Sequence, residues 1–326
     1  MIFSSNNLQF FRGSSTTSGV SSNDNNWHII NTSWQSSGGN LAIWKDGLES
    51  YTSTFQAGTS ITSGGSLAIG GEQDSVDGGY VNSQAHSGDY PEVILYNVFL
   101  NDAQQIIVAN YLATKYDVDL KQDQRYYHAE SHPFEVAGLG KIDEKDYHAD
   151  AKGTGEIRVV AGADLNADEF LMWGHNDGSL SNWSEIKDLQ EEKLEVLDRS
   201  WKISERGDVG LIDLRIEKTE LPSVSGKVGL IMAQMADYSD AVILELTDNG
   251  TYYSVAVNLQ DNAYISFVTA EDFTIGKEEM SPVSNWNLYP NPVENELQID
   301  RGENKSLNIE ITDNSGRVIY SKLANA

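Results

Sequence analysis

Leu41-Ala42-Ile43-Trp44-Lys45-Asp46-Gly47-Leu48 is the stretch on which the fold turns. Four apolar residues and Lys45 lead into Asp-Gly, a strong short-range hairpin signal, because such a turn needs positive φ at its central positions. Working outward, further short strands are expected at Leu8 to Phe11, Trp27 to Trp34, Ser66 to Ile69 and Glu92 to Tyr96. Loops rich in Ser, Asn, Gly and Thr separate them. Strands at this spacing predict a sandwich. Alternation places Trp27, Ile29 and Asn31 on one face and His28 and Ile30 on the other. One helix interrupts the pattern. Asn101 with Gln104 three residues on forms a capping box, and Ile107, Val108, Tyr111, Leu112 and Tyr116 recur at helical spacing. The helix is predicted over Asp102 to Tyr116, with one face on the sandwich.

Residues 125–275 read as a second β-rich region. Strands are expected at Ile157–Val160, Phe170–Gly174, Ser200–Ile203, Ile212–Ile216, Val228–Ile231, Tyr252–Val257 and Tyr264–Val268. Leu211 to Ile216 alternates strictly, and Asp248-Asn249-Gly250 is a hairpin turn. Glu185 to Arg199 has helical composition but is read as a loop leading to the strand at Trp201. Residues 276–284 form a polar linker. The last stretch, 285–326, carries alternating runs at Leu297–Ile299 and Leu307–Ile311, and a turn at Asp313-Asn314-Ser315-Gly316. Pro290 and Pro292 keep the start of this module out of any central strand.

The 326 residues suffice for two or three domains. A hydrophobic fraction of 39% argues for a globular chain. The formal net charge of −27 argues against nucleic acid and anionic membrane surfaces as partners, since phosphates would be repelled. With no cysteine, disulfides, thiolate catalysis and cysteine-based zinc sites are excluded. No apolar run reaches membrane-spanning length. The first residues, Met1-Ile2-Phe3-Ser4-Ser5, lack a basic stretch followed by an apolar one, so no signal peptide is read there.

Three resemblances follow from these motifs. Tyr289-Pro290-Asn291-Pro292 together with Gly316-Arg317 resembles the C-terminal sorting domain of type IX secretion substrates in Bacteroidota. It implies export by the type IX secretion machinery to the cell surface or beyond. Trp27-His28, Ile43-Trp44-Lys45-Asp46-Gly47, Leu67-Ala68-Ile69-Gly70, Glu92-Val93-Ile94-Leu95-Tyr96-Asn97 and the following helix resemble the second half of a laminin G-like, concanavalin A-like jelly roll. Trp173-Gly174-His175-Asn176-Asp177 and Arg199-Ser200-Trp201-Lys202 resemble an uncharacterised domain found between such modules and sorting tails. The expected organisation is a partial jelly roll at 1–120, a second β-sandwich-like domain at 125–275, the linker, and a small sorting module at 285–326. An exported chain without a signal peptide is expected to be a piece of a longer precursor.

Candidate sites are few. Glu72 and Asp77, with Asp74 between them, echo the acidic series of glycanases with the concanavalin A-like fold, where period-two geometry gathers acids on one strand face. Here the flanking glycines favour a loop. Calcium is the better use of such acids, because hard oxygen ligands suit it. Asp74, Asp77 and Asp89 are the expected ligands. Asp164 to Glu169 begins like an EF-hand loop but lacks its glycine and its final glutamate, and is read as a strand connection. The six histidines show no zinc spacing. Trp34, Trp44 and Tyr80 are the aromatic candidates for stacking on a sugar ring. The whole reads as a secreted or cell-surface binding or adhesion protein that takes an extracellular glycan or protein, and not as an enzyme. The alternative is a glycan hydrolase or an accessory module of one.

Overall fold

The computed structural model describes residues 2–3, 6–271 apart from 62, 72, 154, 163–164, 187–193 and 225, residue 273, and short backbone strands between 287 and 324. Among the described residues the chain is mainly β, with antiparallel sheets and one α-helix. It divides into two units, Met1–Asp272 and Phe273–Ala326.

The first unit begins with two three-stranded sheets. One holds β1 (Ile2–Phe3), β2 (Gln9–Phe11) and β3 (Ser15–Thr17). The other holds β4 (Ile30–Gln35), β5 (Asn40–Lys45) and β6 (Leu48–Thr54). Buried Leu8, Val20 and Ile43 join them, with Ile30 and Tyr51 packed alongside. The β5–β6 register pairs Lys45 with Leu48 across a two-residue turn. Asp46 and Gly47 take φ values of 53° and 80° there, as the Asp-Gly pair predicts.

The helix α1 (Asp102–Tyr116) has the predicted bounds, and its capping box is complete. Its packing partner differs from expectation. Ile107 and Tyr111 pack against Tyr126, Val136 and Met172, which belong to the second β region. Two predicted strands are absent. Residues 66–69 and 92–96 have strand-like sequence but form no ladder among the described residues, and Leu67, Ile69, Leu95 and Tyr96 are exposed. A strand exists only where a neighbour takes its backbone hydrogen bonds, and none does so here. Side chains hold the second segment instead. The Glu92 carboxylate accepts from Tyr111 Oη at 3.2 Å, Tyr116 Oη at 2.9 Å and Lys115 Nζ at 2.9 Å, all on α1.

The second region is a two-sheet sandwich. Its strands are β7 (Phe134–Lys141), β8 (Tyr147–His148), β9 (Asp150–Ala151), β10 (Ile157–Ala161), β11 (Glu169–His175), β12 (Trp183–Ile186), β13 (Leu194–Leu197), β14 (Trp201–Arg206), β15 (Ile212–Glu217), β16 (Lys227–Ala233), β17 (Val242–Glu245), β18 (Thr247–Asp248), β19 (Tyr252–Val257) and β20 (Tyr264–Ala270). One sheet runs β12-β13-β20-β14-β11-β7-β8, with β16 paired to β20 and β17 to β16. The other runs β18-β19-β15-β10-β9. Leu171, Trp173, Trp201, Ile203 and Phe267 from the first meet Ile157, Val159, Ile212, Leu214 and Ile216 from the second in one core. Each such large apolar side chain stabilises the sandwich by about 1.5–3 kcal/mol.

The segment from Glu185 to Arg199 is not the loop expected. Trp183–Ile186 pairs antiparallel with Leu194–Leu197. Buried Leu194 and Val196 alternate with exposed Glu195, which is strand patterning inside a charged composition. The Asp164 of the EF-hand-like series lies outside the described residues, and the rest of the series joins β10 to β11. Strand β7 has a sequence interrupted by Gly138 and Gly140, where strand propensity is low. Those glycines are demanded by packing. A Cβ on Gly140 would lie 2.1 Å from the Phe170 ring, and one on Gly138 would lie 2.8 Å from Met172 Cγ.

The second unit contains β21 (Asn287–Tyr289) paired with β22 (Gln298–Asp300), and β23 (Leu307–Thr312) paired with β24 (Val318–Ala324). Tyr289 closes β21. Pro290, Asn291, Pro292, Gly316 and Arg317 lie outside the described residues.

Gly174 tests the packing of β11. An added Cβ would meet the His132 carbonyl and the Tyr126 hydroxyl at 2.6 Å each, and both are fixed inside the fold. Gly174→Ala should lower stability by about 1–3 kcal/mol, as overpacking does. Gly65→Ala, where nothing lies within 4 Å, should change it by less than about 0.5 kcal/mol, the usual range for a surface change. Urea unfolding midpoints of the two variants would check this, and equal midpoints would refute the packing at Gly174.

Candidate ligand-binding groove

The buried carboxylate of Asp46 organises one side of the groove. Its Oδ1 accepts the Ile29 amide at 3.0 Å, and its Oδ2 lies 2.9 Å from His28 Nδ1. The Asp46 backbone donates to Ile29 O at 2.9 Å and accepts from Lys121 N at 2.8 Å. These bonds pin the hairpin turn to the start of β4 and to the chain beyond α1. Gly47 allows the close approach, since a Cβ there would lie 2.5 Å from Gln122 O. A register shift between Ile43 and Trp44 then brings Trp44 opposite Glu49.

The resulting cavity has a volume of about 420 Å³. Asn31, Trp44, Gly47 and Glu49 line it from the sheet and hairpin, Asp102, Gln105, Ile106 and Ala109 from α1, and Gln122, Asp123, Arg125, Ile142 and Asp168 from the chain beyond. A second hollow of about 260 Å³ shares Trp44, Glu49 and Asp102, and reaches across Leu41, Thr52 and Ser53 to Phe99. The size suits a small ligand or one or two units of a polymer.

The polar groups in the groove are of three kinds. Asn31 Nδ2 donates to the buried Gln105 Oε1 at 3.2 Å, which leaves the other end of each amide for a further partner. Arg125 reaches Asp123 at 2.7 Å and Asp168 at 3.3 Å, and its guanidinium lies 5.2 Å from the Phe170 ring. Its Nε is buried without a hydrogen bond. Glu49 and Asp102 have no ion-pair partner among the described residues. Withdrawal from water, then the charge of Asp102, pushes the Glu49 carboxyl above its ordinary range. The Asp102 carboxyl is pushed up by burial first, then by Asp146, Asp143 and Asp123. Asp102 is tolerated because it begins a helix, where negative charge is favourable.

Of the aromatic candidates, Trp44 lines the groove. Trp34 does not: its Nε1 donates to Phe55 O at 2.8 Å, its ring stacks on Phe10, and Arg12 lies over it at 4.7 Å. Tyr80 is exposed on the 66–90 loop. Glu72 lies outside the described residues. Asp77 sits in a turn with φ of 58°, not on a strand. Asp74, Asp77 and Asp89 are all exposed. The one group of three close metal-ligating atoms among the described residues is a different one, Glu135, Glu156 and His175. Sequence reasoning missed Asn31, Gln105, Glu49 and Asp102. The capping box did place Asp102 at the start of α1, but nothing in the sequence set it beside Glu49.

Residues 2–127 match the Pentaxin family, a jelly-roll sandwich; residues 148–263 match a domain of unknown function, DUF8202; residues 287–326 match the secretion system C-terminal sorting domain. C-reactive protein 1.4 of Limulus polyphemus is 34% identical over 80 residues, 24% of this chain and 33% of that protein. Human C-reactive protein is 30% identical over 101 residues, 28% of this chain and 45% of that protein. The human adhesion G protein-coupled receptor D2 is 34% identical over 82 residues, 25% of this chain and 8% of the receptor. The chain thus spans less than half the length of these relatives. No solved structure matches. The sorting tail makes this a secreted or cell-surface protein that engages the type IX secretion machinery. No helix among the described residues is long and apolar enough to cross a membrane.

Because the charge of Asp102 adds to the burial that raises the Glu49 carboxyl, Asp102→Asn should move the Glu49 titration part of the way down toward the ordinary glutamate range. Carboxylate-detected NMR titration reads this directly, and an unmoved Glu49 curve would show that the two charges do not interact.

Proposed function

We propose that this is a secreted binding or adhesion protein that takes an extracellular ligand, foremost a glycan, in the groove between the β4–β6 sheet and α1. The observation that carries the reading is Trp44 set among open amides and carboxylates in one cavity. A sugar ring offers an apolar face to an aromatic side chain and hydroxyls to planar polar groups. Anionic glycans fit poorly beside the uncompensated Glu49 and Asp102, so neutral or amino-bearing sugars are the expected class. The match of residues 2–127 to a family of jelly-roll modules supports binding over catalysis.

Glycan-array screening followed by calorimetry tests this. Trp44→Ala should weaken the best glycan about tenfold, the loss of roughly 1.4 kcal/mol of ring stacking. Trp27→Ala, an exposed tryptophan outside the groove, should not change it. Equal affinity of the Trp44 variant would remove the groove from the binding reaction. Hydrolysis of the bound glycan, abolished by Glu49→Gln, would replace the binding reading with the hydrolase alternative.

Calcium is proposed for the 66–89 loop, with Asp74 as a principal carboxylate and Asp77 and Asp89 as further candidates. The three do not converge as a preformed cluster, so carbonyl and amide oxygens of the loop must complete any shell. The support is that the loop is held in shape from within. Gln73 Nε2 donates to Ser66 O at 2.9 Å, Asp77 N donates to Ser66 Oγ at 2.7 Å, and Gly79 packs against the Asp74 backbone. The Asp74 carboxylate takes no hydrogen bond among the described residues. Millimolar Ca²⁺ should raise the melting temperature more than NaCl at equal ionic strength, because screening alone acts alike for both. Asp74→Asn should erase the difference. Identical melting in the two salts would dismiss the ion.

A further inference from the structure

His175 ends β11 inside the second sandwich, with its side chain 3% exposed. Phe134 stacks on the ring at 5.8 Å, and Trp201 meets it edge-on at 6.3 Å. The Asp177 amide donates to His175 Nδ1 at 2.9 Å. The other nitrogen, Nε2, is buried without a hydrogen bond and lies 3.6 Å from Glu135 Oε2. Glu156 Oε2 is also buried and unbonded, while its Oε1 is paired with Arg199.

The spacing of Glu135, Glu156 and His175, within 4.8 Å of one another, is one a divalent cation accepts. The tautomer denies it. Because Nδ1 accepts the Asp177 proton, a neutral ring carries its own proton on Nε2. The lone pair a metal would need is therefore occupied. What faces Nε2 is a pair of carboxylates, and carboxylates attract a charged ring.

Protonation makes both ring nitrogens donors. The new Nδ1 proton would point at the Asp177 N–H, donor against donor. That bond anchors a short turn. Asn176 Oδ1 accepts from Gly178 N at 2.9 Å and from Ser200 N at 3.0 Å. Arg199 Nε donates to Gly178 O at 2.8 Å, and Arg199 Nη2 reaches Asp177 Oδ1 at 3.4 Å. A charged His175 would also draw Glu156 away from Arg199, which holds the other end of the turn.

We propose that His175 is a proton-operated latch: neutral, it holds the Asn176–Gly178 turn against the end of β11; charged, it lets the turn go. The titratable groups facing it are Glu135 on β7, Glu156 ahead of β10, Arg199 ahead of β14, Asp177 in the turn, and His132 ahead of β7. Burial, then Arg199, keeps the ring neutral below the ordinary histidine range, while Glu156 and Glu135 oppose them. The folded-state pKa is depressed. The latch therefore contributes its full stability above about pH 6.5, and that contribution is lost as the pH falls from there through the folded value.

Amide exchange of the full chain, corrected for intrinsic rates, is the test. Between pH 7.5 and 5 the amides of residues 176–178 should lose protection about tenfold, while those of β20 keep theirs. His175→Asn puts a side-chain oxygen near the Nδ1 position without a titrating group, so its turn should show no pH dependence. Should that variant fail to fold, ¹⁵N-histidine spectra of the unaltered protein decide alone: at pH 7.5 His175 must show an unprotonated Nδ1 and a protonated Nε2. Protection that does not change with pH, an equal loss in His175→Asn, the opposite tautomer, or stoichiometric Zn²⁺ binding at neutral pH would each overturn the latch.

Discussion

The side-chain amide of Asn110, fully buried in the middle of α1, makes four hydrogen bonds. Its Nδ2 donates to Ile106 O at 2.9 Å and to Asp123 O at 2.8 Å. Its Oδ1 accepts Arg125 N at 2.7 Å and Tyr126 N at 3.0 Å. A buried amide left unpaired costs about 1–3 kcal/mol for each missing bond, so the helix and the 123–126 segment stay together or both lose. Tyr126 follows directly, fully buried, and its hydroxyl donates to His132 O at 2.7 Å. Burial pushes that phenol far above its ordinary range. This chain of bonds ties the helix to the second β region, while Gln105 on another turn meets Asn31 of the first. The far wall of the groove, Asp123 and Arg125, is set by the same four bonds.

Local signals were legible wherever one short stretch decides the outcome. Asp46-Gly47 gave its hairpin, Asn101 with Gln104 gave the helix start, and Leu211 to Ile216 gave a strand whose burial alternates as its sequence does. Signals failed where a distant partner decides. Leu67–Ile69 and Val93–Tyr96 have strand composition, yet no described neighbour takes their hydrogen bonds. Strand β7 was invisible for the opposite reason. Its glycines lower local propensity, but Phe170 and Met172 on the adjacent strand fill the space a side chain would need.

The groove was half legible for the same reason. Trp44 stands out in sequence as an aromatic beside a turn. Glu49 lies five residues on and looks like any surface acid. What makes it distinctive is Asp102, more than fifty residues away, delivered by the helix that Asn110 fixes. Trp34 shows the converse. It reads as an equally good stacking residue, but Arg12 and Phe10 already occupy its faces. His175 was read as a histidine without zinc spacing, and its two carboxylates come from residues 135 and 156, joined only by the sandwich.

In the proposed reading, charge sets the selectivity of the groove. The chain carries 22 basic against 49 acidic side chains, so bases are scarce. The arginines of the sandwich are committed: Arg158 to Asp150, Arg206 to Asp168, Arg215 to Asp213 and Arg199 to Glu156. The first three pairs are solvent-accessible and contribute only about 0–1 kcal/mol each, so their larger effect is to tie up these arginines. Arg125 does enter the groove wall but is already shared by Asp123 and Asp168. Glu49 and Asp102 therefore meet an incoming ligand with their charge uncompensated. A sulfated or carboxylated ligand would add repulsion at short range, where screening by salt is weakest. A neutral sugar supplies hydroxyl donors to the same carboxylates, and an amino group supplies the missing positive charge. In that reading the discrimination arises less from what the groove attracts than from the lack of a free base among its described lining residues.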